Sequence, residues 1–125
     1  VLGWSYVAWS KFWRLAGVDH MHVNGLRNKF CEPDASVIEA AQSLLTPLGP
    51  DRADVVMPVF SSGQTVGQVA DTHAALGRTD LMYLTGGGIM GHPDGPAAGV
   101  AAMRAAWQAA MAGVPLAEHA RTHPA

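Results

Sequence analysis

The stretch LMYLTGGGIMGHPDGPAAG, residues 81–99, decides how the chain is to be read. Leu81 to Leu84 is a short apolar run that leads directly into Gly86, Gly87 and Gly88, and Pro96 then opens a helix predicted to reach Ala112. Proline suits a first helical turn because its missing N–H has no intrahelical partner there. Val100, Met103, Trp107 and Met111 carry the spacing of that helix's apolar stripe. Strand, glycine turn and helix together make one β/α unit, and the same order recurs upstream. Residues 53–60 (ADVVMPVF) read as a strand buried on both faces, followed by the turn Ser61–Ser62–Gly63 and a helix from Thr65 to Leu76 closed by Gly77. Pro58 cannot donate to a ladder, so it is expected near the strand's end. Residues 19–23 read as another strand, followed by a polar loop over 24–34.

The next helix is predicted over 36–48. Ser36 and Glu39 form a capping-box pattern at its start, and Val37, Ile38, Ala41, Leu44, Leu45 and Leu48 repeat at helical spacing. Pro47, Gly49 and Pro50 end it. A first helix is predicted over 5–16, with Trp9, Phe12, Trp13 and Ala16 on its packing face and Lys11 and Arg14 off it. Trp4, Trp9, Trp13 and Trp107 read as packing residues. Pro115 opens a short last helical segment, and the tail from Thr122 is expected to fray. One helix followed by three strand–helix units implies parallel strands joined by crossovers. Three strands cannot close a barrel, and an eight-stranded one needs ~250 residues. Residues 1–125 are therefore read as α/β, the incomplete C-terminal portion of a (β/α)8 TIM barrel, with a shorter open α/β sheet as the alternative.

Composition narrows the function classes. Hydrophobic residues make up 49% and charged residues 14%. The latter is low against about a quarter for a self-contained domain, so part of the surface is expected to face more protein. The start at Val1 without Met supports the same expectation of a longer parent. Hydrophobicity this high excludes a disordered chain. A net charge of −2 with no basic tail excludes a non-specific nucleic-acid binder. Lys11 and Arg14 interrupt the apolar opening over 1–18, and a membrane span needs ~20 nearly uncharged residues, so no membrane partner is expected. Nor is the opening a signal peptide, since no basic region precedes it and no cleavage site follows. A single cysteine, Cys31, excludes an internal disulfide and fits a reducing, cytoplasmic setting.

In both architectures ligands sit at the C-terminal ends of the parallel strands, and the polar residues gather there. The first strand ends in His20-x-His22 and Asn24–Gly25, the second in Ser61–Ser62–Gly63, the third in three glycines. Glycines between strand and helix let an anion approach backbone N–H groups, so Gly63, Gly86, Gly87 and Gly88 are candidates for a phosphate cradle. A tight connection with no ligand is the plain alternative. His20 and His22 share one strand face. They read as a metal pair, as a phosphate-binding histidine beside a structural one, or as two hydrogen-bonded core histidines. Lys29 reads either as a solvated loop lysine or as a mobile cation that closes over an anionic substrate, a role Arg27 could share. Nothing marks Cys31 as a nucleophile. A serine-hydrolase reading of Ser61 or Ser62 lacks the G-x-S-x-G elbow. His73 and His92 read as structural.

Three segments carry a family resemblance: RLAGVDHMHVNG (14–25), MPVFSSG (57–63) and LMYLTGGGIMGHPDGPAAG (81–99). Together they resemble the C-terminal barrel of the RuBisCO large chain, with matching spacing over nearly the whole length. The resemblance implies that His22 and Ser61 contact substrate near one phosphate, with Ser62 in the same turn. Gly63, Gly86 and Gly87 would give backbone donors to the other phosphate. It also implies that Lys29, on the loop after barrel strand six, stabilises and protonates the reacting carbon. The chain departs from carboxylases in two places. It has GLRNKFCE where they carry a loop resembling TVVGKLEG, and Ser61–Ser62–Gly63 where they carry SGG. It is most similar to the RuBisCO-like proteins, often called form IV.

Such relatives run enolate chemistry on phosphorylated sugars or sugar acids. The resemblance implies Mg2+ on a lysine, an aspartate and a glutamate of an earlier strand, and no such cluster occurs in these residues. It also implies a homodimer or dimer-based oligomer with a shared active site. Retained Lys29 favours decarboxylation of a phosphorylated 3-oxo sugar acid over isomerisation of a methylthio-pentulose phosphate. A true carboxylase and a non-catalytic phosphosugar-binding remnant are the rival readings, and the 125 residues alone are expected to be inactive.

Overall fold

The computed structural model describes residues 3–52 and 54–122. Helix α1 (Tyr6–Leu15) is followed by β1 (His20–Asn24), α2 (Asp34–Leu44), β2 (Met57–Ser61), a 3-10 turn (Val66–Gln68) and α3 (Val69–Leu76). Then come β3 (Met82–Tyr83), α4 (Gly86–Met90), α5 (Pro96–Ala112) and α6 (Leu116–Thr122). The strands form one parallel sheet in the order β1–β2–β3, with His22 opposite Val59 and Phe60 opposite Tyr83. The alternation of strands and helices is thus as the sequence indicates. Ala53 and the end of the tail, 123–125, lie outside the described residues, and Thr122 closes α6.

Pro58 sits second in the central strand, not at its end, and is fully buried. In a parallel ladder alternate residues bond to opposite neighbours. Met57 donates to Asp19 O on the β1 side at 3.0 Å, whereas Phe60 O accepts from Leu84 N on the β3 side at 2.8 Å. Two residues before Phe60, Pro58 therefore faces β3, where it has no N–H to give. Pairing to β3 starts only at Val59, which accounts for a strand of two residues in place of the predicted four.

The main core lies between the sheet and α2. Met21, Val23, Val37, Ala41, Leu44, Val56 and Phe60 are buried there. Burial of this kind contributes about 1.5–3 kcal/mol for each large side chain. Helix α2 starts two residues before Ser36 and ends at Leu44, not at Leu48. The predicted capping box is not formed, because the Ser36 hydroxyl donates to Glu32 Oε1 at 2.6 Å instead. A capping box does form at Thr65 and Gln68, where the chain enters the 3-10 turn.

Helix α1 reverses its predicted face. Ser10 and Arg14 are buried, while Trp9, Phe12 and Trp13 are exposed. Trp4, also expected to pack, is 74% exposed. Their rings contact each other, with Trp4 edge-on to Phe12 and Trp9 edge-on to Trp13, both at 5.8 Å. Arg14 turns inward because carbonyls at the end of α2 need donors. It gives hydrogen bonds to Ser43 O at 2.6 Å, Thr46 O at 2.5 Å and Asp54 O at 3.0 Å. Asp54 is held below the usual carboxylate range by the Leu48 N–H it accepts, and by Arg14 and Arg52.

The second core joins α3 to α5. It buries Val69, Met103 and Ala106, with Tyr83 and Trp107 against it. The predicted α5 stripe is rotated: Val100 and Met111 are exposed, and Gly99 and Ala109 are buried in their stead. A Cβ on Gly99 would lie 2.4 Å from Ile89 O, so only glycine lets α5 approach α4 this closely. Trp107 stacks edge-on against His73 and Tyr83, consistent with a structural His73. No helix among the described residues is long and apolar enough to cross a membrane.

Candidate functional site

The parallel register brings the three strand ends to one rim. A cleft of about 380 Å³ opens there, lined by Lys29, Ser61–Thr65, Leu84 and Gly86–Gly88. The triple glycine forms the first turn of α4 in place of the open loop that glycine's poor helix propensity suggests. A helix's first N–H groups have no intrahelical partners, so this turn still presents backbone donors. A Cβ on Gly86 or Gly87 would meet nothing within 4 Å, so both are open to the cleft side.

His22 stands beside Ser61, its Nδ1 3.4 Å from Ser61 Oγ. Within these residues His20 and His22 share the exposed face of β1, opposite buried Met21 and Val23. Among the described residues no three of His, Cys, Asp and Glu come together as a metal site. The magnesium implied by the resemblance therefore finds no ligand set among the described residues. His22 also borders a smaller cleft of about 120 Å³ shared with Tyr6, Asn24, Glu32 and Ser61. The Tyr6 hydroxyl donates to His22 O at 2.5 Å. Burial, with help from the Glu32 charge, pushes that hydroxyl up to about 12, so it remains a donor at ordinary pH.

The loop after β1 is docked on the rim. Gly25 N donates to Ser61 O at 2.9 Å and Lys29 N to Ser62 O at 3.1 Å. Arg27 is turned away from the cleft: its guanidinium holds Asp71 at 2.7 Å and Gly67 O at 2.9 Å. This corrects the idea that it shares the role of Lys29. The Lys29 ammonium lies over the Phe30 ring, 5.2 Å from its centroid. Cys31 is exposed. Arg27, Cys31 and Ser62 all have positive φ, 48°, 59° and 71°, so the left-handed non-glycine residues among those described lie in the two rim loops.

Several rim residues were not singled out by sequence reasoning. Gln64, 1% exposed, donates from Nε2 to Leu26 O and accepts from the Tyr83 hydroxyl, both at 3.1 Å. Its backbone O accepts from Thr85 Oγ1 at 2.7 Å. One side chain and its carbonyl thus tie together the segments after all three strands. Gly25 is required beneath it, since a Cβ there would lie 1.9 Å from Gln64 Cδ. A polar residue directly after a glycine turn was the available signal. Asn24 and Glu32 are joined at 2.7 Å, a pair eight residues apart that no periodicity reveals.

Comparison with known proteins bears on this rim. Residues 50–125 match the model of the ribulose bisphosphate carboxylase large chain, catalytic domain. A 3-oxo-isoapionate-4-phosphate transcarboxylase/hydrolase of Xanthobacter autotrophicus is 59% identical over 99% of this chain and 30% of its own length. A 3-oxo-isoapionate-4-phosphate decarboxylase of Rhizobium etli is 50% identical over 98% of this chain and 29% of its own. The crystal structure of a rubisco-like protein from Burkholderia fungorum superposes with a TM-score of 0.94 at 53% identity, covering 98% of this chain and 30% of that one. The chain thus spans about 30% of the length of the curated relatives it matches.

Proposed function

This chain belongs to the ribulose bisphosphate carboxylase large-chain family, as a RuBisCO-like member, and from that premise we propose that the full-length protein decarboxylates a phosphorylated 3-oxo sugar acid. Supporting this reading is one observation above the rest: Lys29, the Ser61–Gly63 turn and the glycines 86–88 border a single cleft at the strand ends. Backbone N–H groups of Gly63, Gly86 and Gly87 hold the substrate phosphate, and His22, Ser61 and Ser62 hold oxygens near the reacting end. The bond between the carboxylate carbon and its neighbour breaks, CO2 leaves, and the electron pair passes into the enolate of the 3-oxo group. The Lys29 ammonium then gives a proton to the carbanion carbon. Magnesium, which would aid an enolate electrostatically, belongs to residues outside those described, as do the dimer partner's contributions. A cytoplasmic setting is part of the same proposal.

The similarity to a transcarboxylase/hydrolase favours a second reading, in which the carboxyl group is transferred instead of released. Assay of the full-length protein with 3-oxo-isoapionate 4-phosphate separates the two by CO2 evolution. Lys29→Ala is expected to lower kcat by roughly 10²–10⁴-fold, the usual worth of a general acid, with KM nearly unchanged. Unaltered turnover would remove Lys29 from the mechanism.

A further inference from the structure

Glu32 closes the loop that carries Lys29, and both of its oxygens are engaged. Oε2 accepts from Asn24 Nδ2 at 2.7 Å and Oε1 from Ser36 Oγ at 2.6 Å. Asn24 Oδ1 in turn accepts from Ser62 Oγ at 2.6 Å, and Ser62 O accepts the Lys29 N–H at 3.1 Å. Within the loop, buried Asn28 donates to Glu32 O at 2.9 Å and accepts from Phe30 N and Glu32 N at 3.0 and 3.2 Å. The chain is thus pinned on both sides of Lys29.

We propose that Glu32 is a positioning residue: through Asn24 and Ser62 it sets the place of Lys29 over the Ser61–Gly63 rim. The inference rests on the role given to Lys29 above. A carboxylate serves because it has acceptor sites for two donors at once. Both donors are neutral, so the geometry is needed and the charge is not. Glutamine can keep both contacts, its oxygen taking the Asn24 amide and its N–H meeting the Ser36 hydroxyl oxygen.

The test compares kcat and KM of full-length wild type, Lys29→Ala, Glu32→Ala and Glu32→Gln on 3-oxo-isoapionate 4-phosphate, with amide hydrogen exchange followed over residues 26–32. Glu32→Ala is expected to lower kcat about 10- to 100-fold, the cost of a small misplacement. KM should rise by much less than kcat falls, because the Gly63, Gly86 and Gly87 cradle is untouched and Ser62 is the binding group linked to Glu32. The Lys29 amide should exchange faster in that variant, and Glu32→Gln should restore both readouts. Wild-type turnover in Glu32→Ala overturns the proposal, as does a Glu32→Gln enzyme as slow as Glu32→Ala, which would assign the effect to charge. Should Glu32→Ala fail to fold, Ser36→Ala removes one contact alone. A smaller drop in kcat with faster Lys29 exchange then supports the proposal, and no change in either overturns it. If Lys29→Ala is fully active, the function proposed above falls along with this inference. If Lys29 matters and Glu32 does not, this inference falls alone.

Discussion

Helices α1 and α2 lie side by side, yet they are built on opposite rules. Helix α2 buries the face its sequence advertises, with Val37, Ala41 and Leu44 fully enclosed. Helix α1 advertises an aromatic face, leaves it exposed, and buries a serine and an arginine instead. The difference lies in what each helix meets. Helix α2 meets the apolar side of a sheet, where area removed from water decides the outcome. Helix α1 meets the end of α2, where unpaired carbonyls decide it. A buried acceptor left without a donor costs about 1–3 kcal/mol, which accounts for Arg14 pointing inward.

That contrast can be broken by mutation. The largest loss is expected from Arg14→Met, about 4 kcal/mol of unfolding free energy, because it takes the side-chain donor from Thr46 O and Asp54 O and leaves Ser43 O only the Thr46 N–H at 3.4 Å. It should also change the response to acid. Asp54 is held low in the fold, so its contribution is present above its ordinary value of 3.8 and disappears as pH falls through its lower folded-state value. Without Arg14 that value rises, and acid unfolding should begin at higher pH; urea melts across an acid series read both effects. Leu44→Ala should follow at about 3 kcal/mol, a typical loss for a fully enclosed leucine. Phe12→Ser should be smallest, within about 0.5 kcal/mol in this 125-residue chain, while lowering its binding of a hydrophobic dye. A larger loss for Phe12→Ser in a longer form would reveal a surface seated on the aromatic face.

The same contrast explains what the sequence made legible. Patterns that depend on area or local spacing could be read directly. Helix α5 runs over the predicted 96–112, and the strand ends deliver Ser61–Gly63 and Gly86–Gly88 to one cleft with Lys29 beside it. Features that depend on a partner far along the chain could not. Arg14 answers carbonyls 29 to 40 positions away, and Gln64 joins Leu26 to Tyr83 across the strand ends. Nothing local marks Glu32, because its partners, Asn24 and Ser36, become neighbours only when the loop folds back. The triple glycine forms a helical turn although glycine is a poor helix former, so no local propensity reveals it. Thr85, bonded to Gln64 O and accepting the Ile89 N–H, starts that turn from a buried position.

Ser62 holds its backbone at φ 71°, a region where a side chain costs about 1–2 kcal/mol and glycine pays nothing. Replacement by glycine would relax the main chain and delete the hydroxyl that reaches Asn24. Backbone ease and the bond to Asn24 therefore pull this position in opposite directions, and serine there keeps the two rim loops joined while holding its main chain in a left-handed bend.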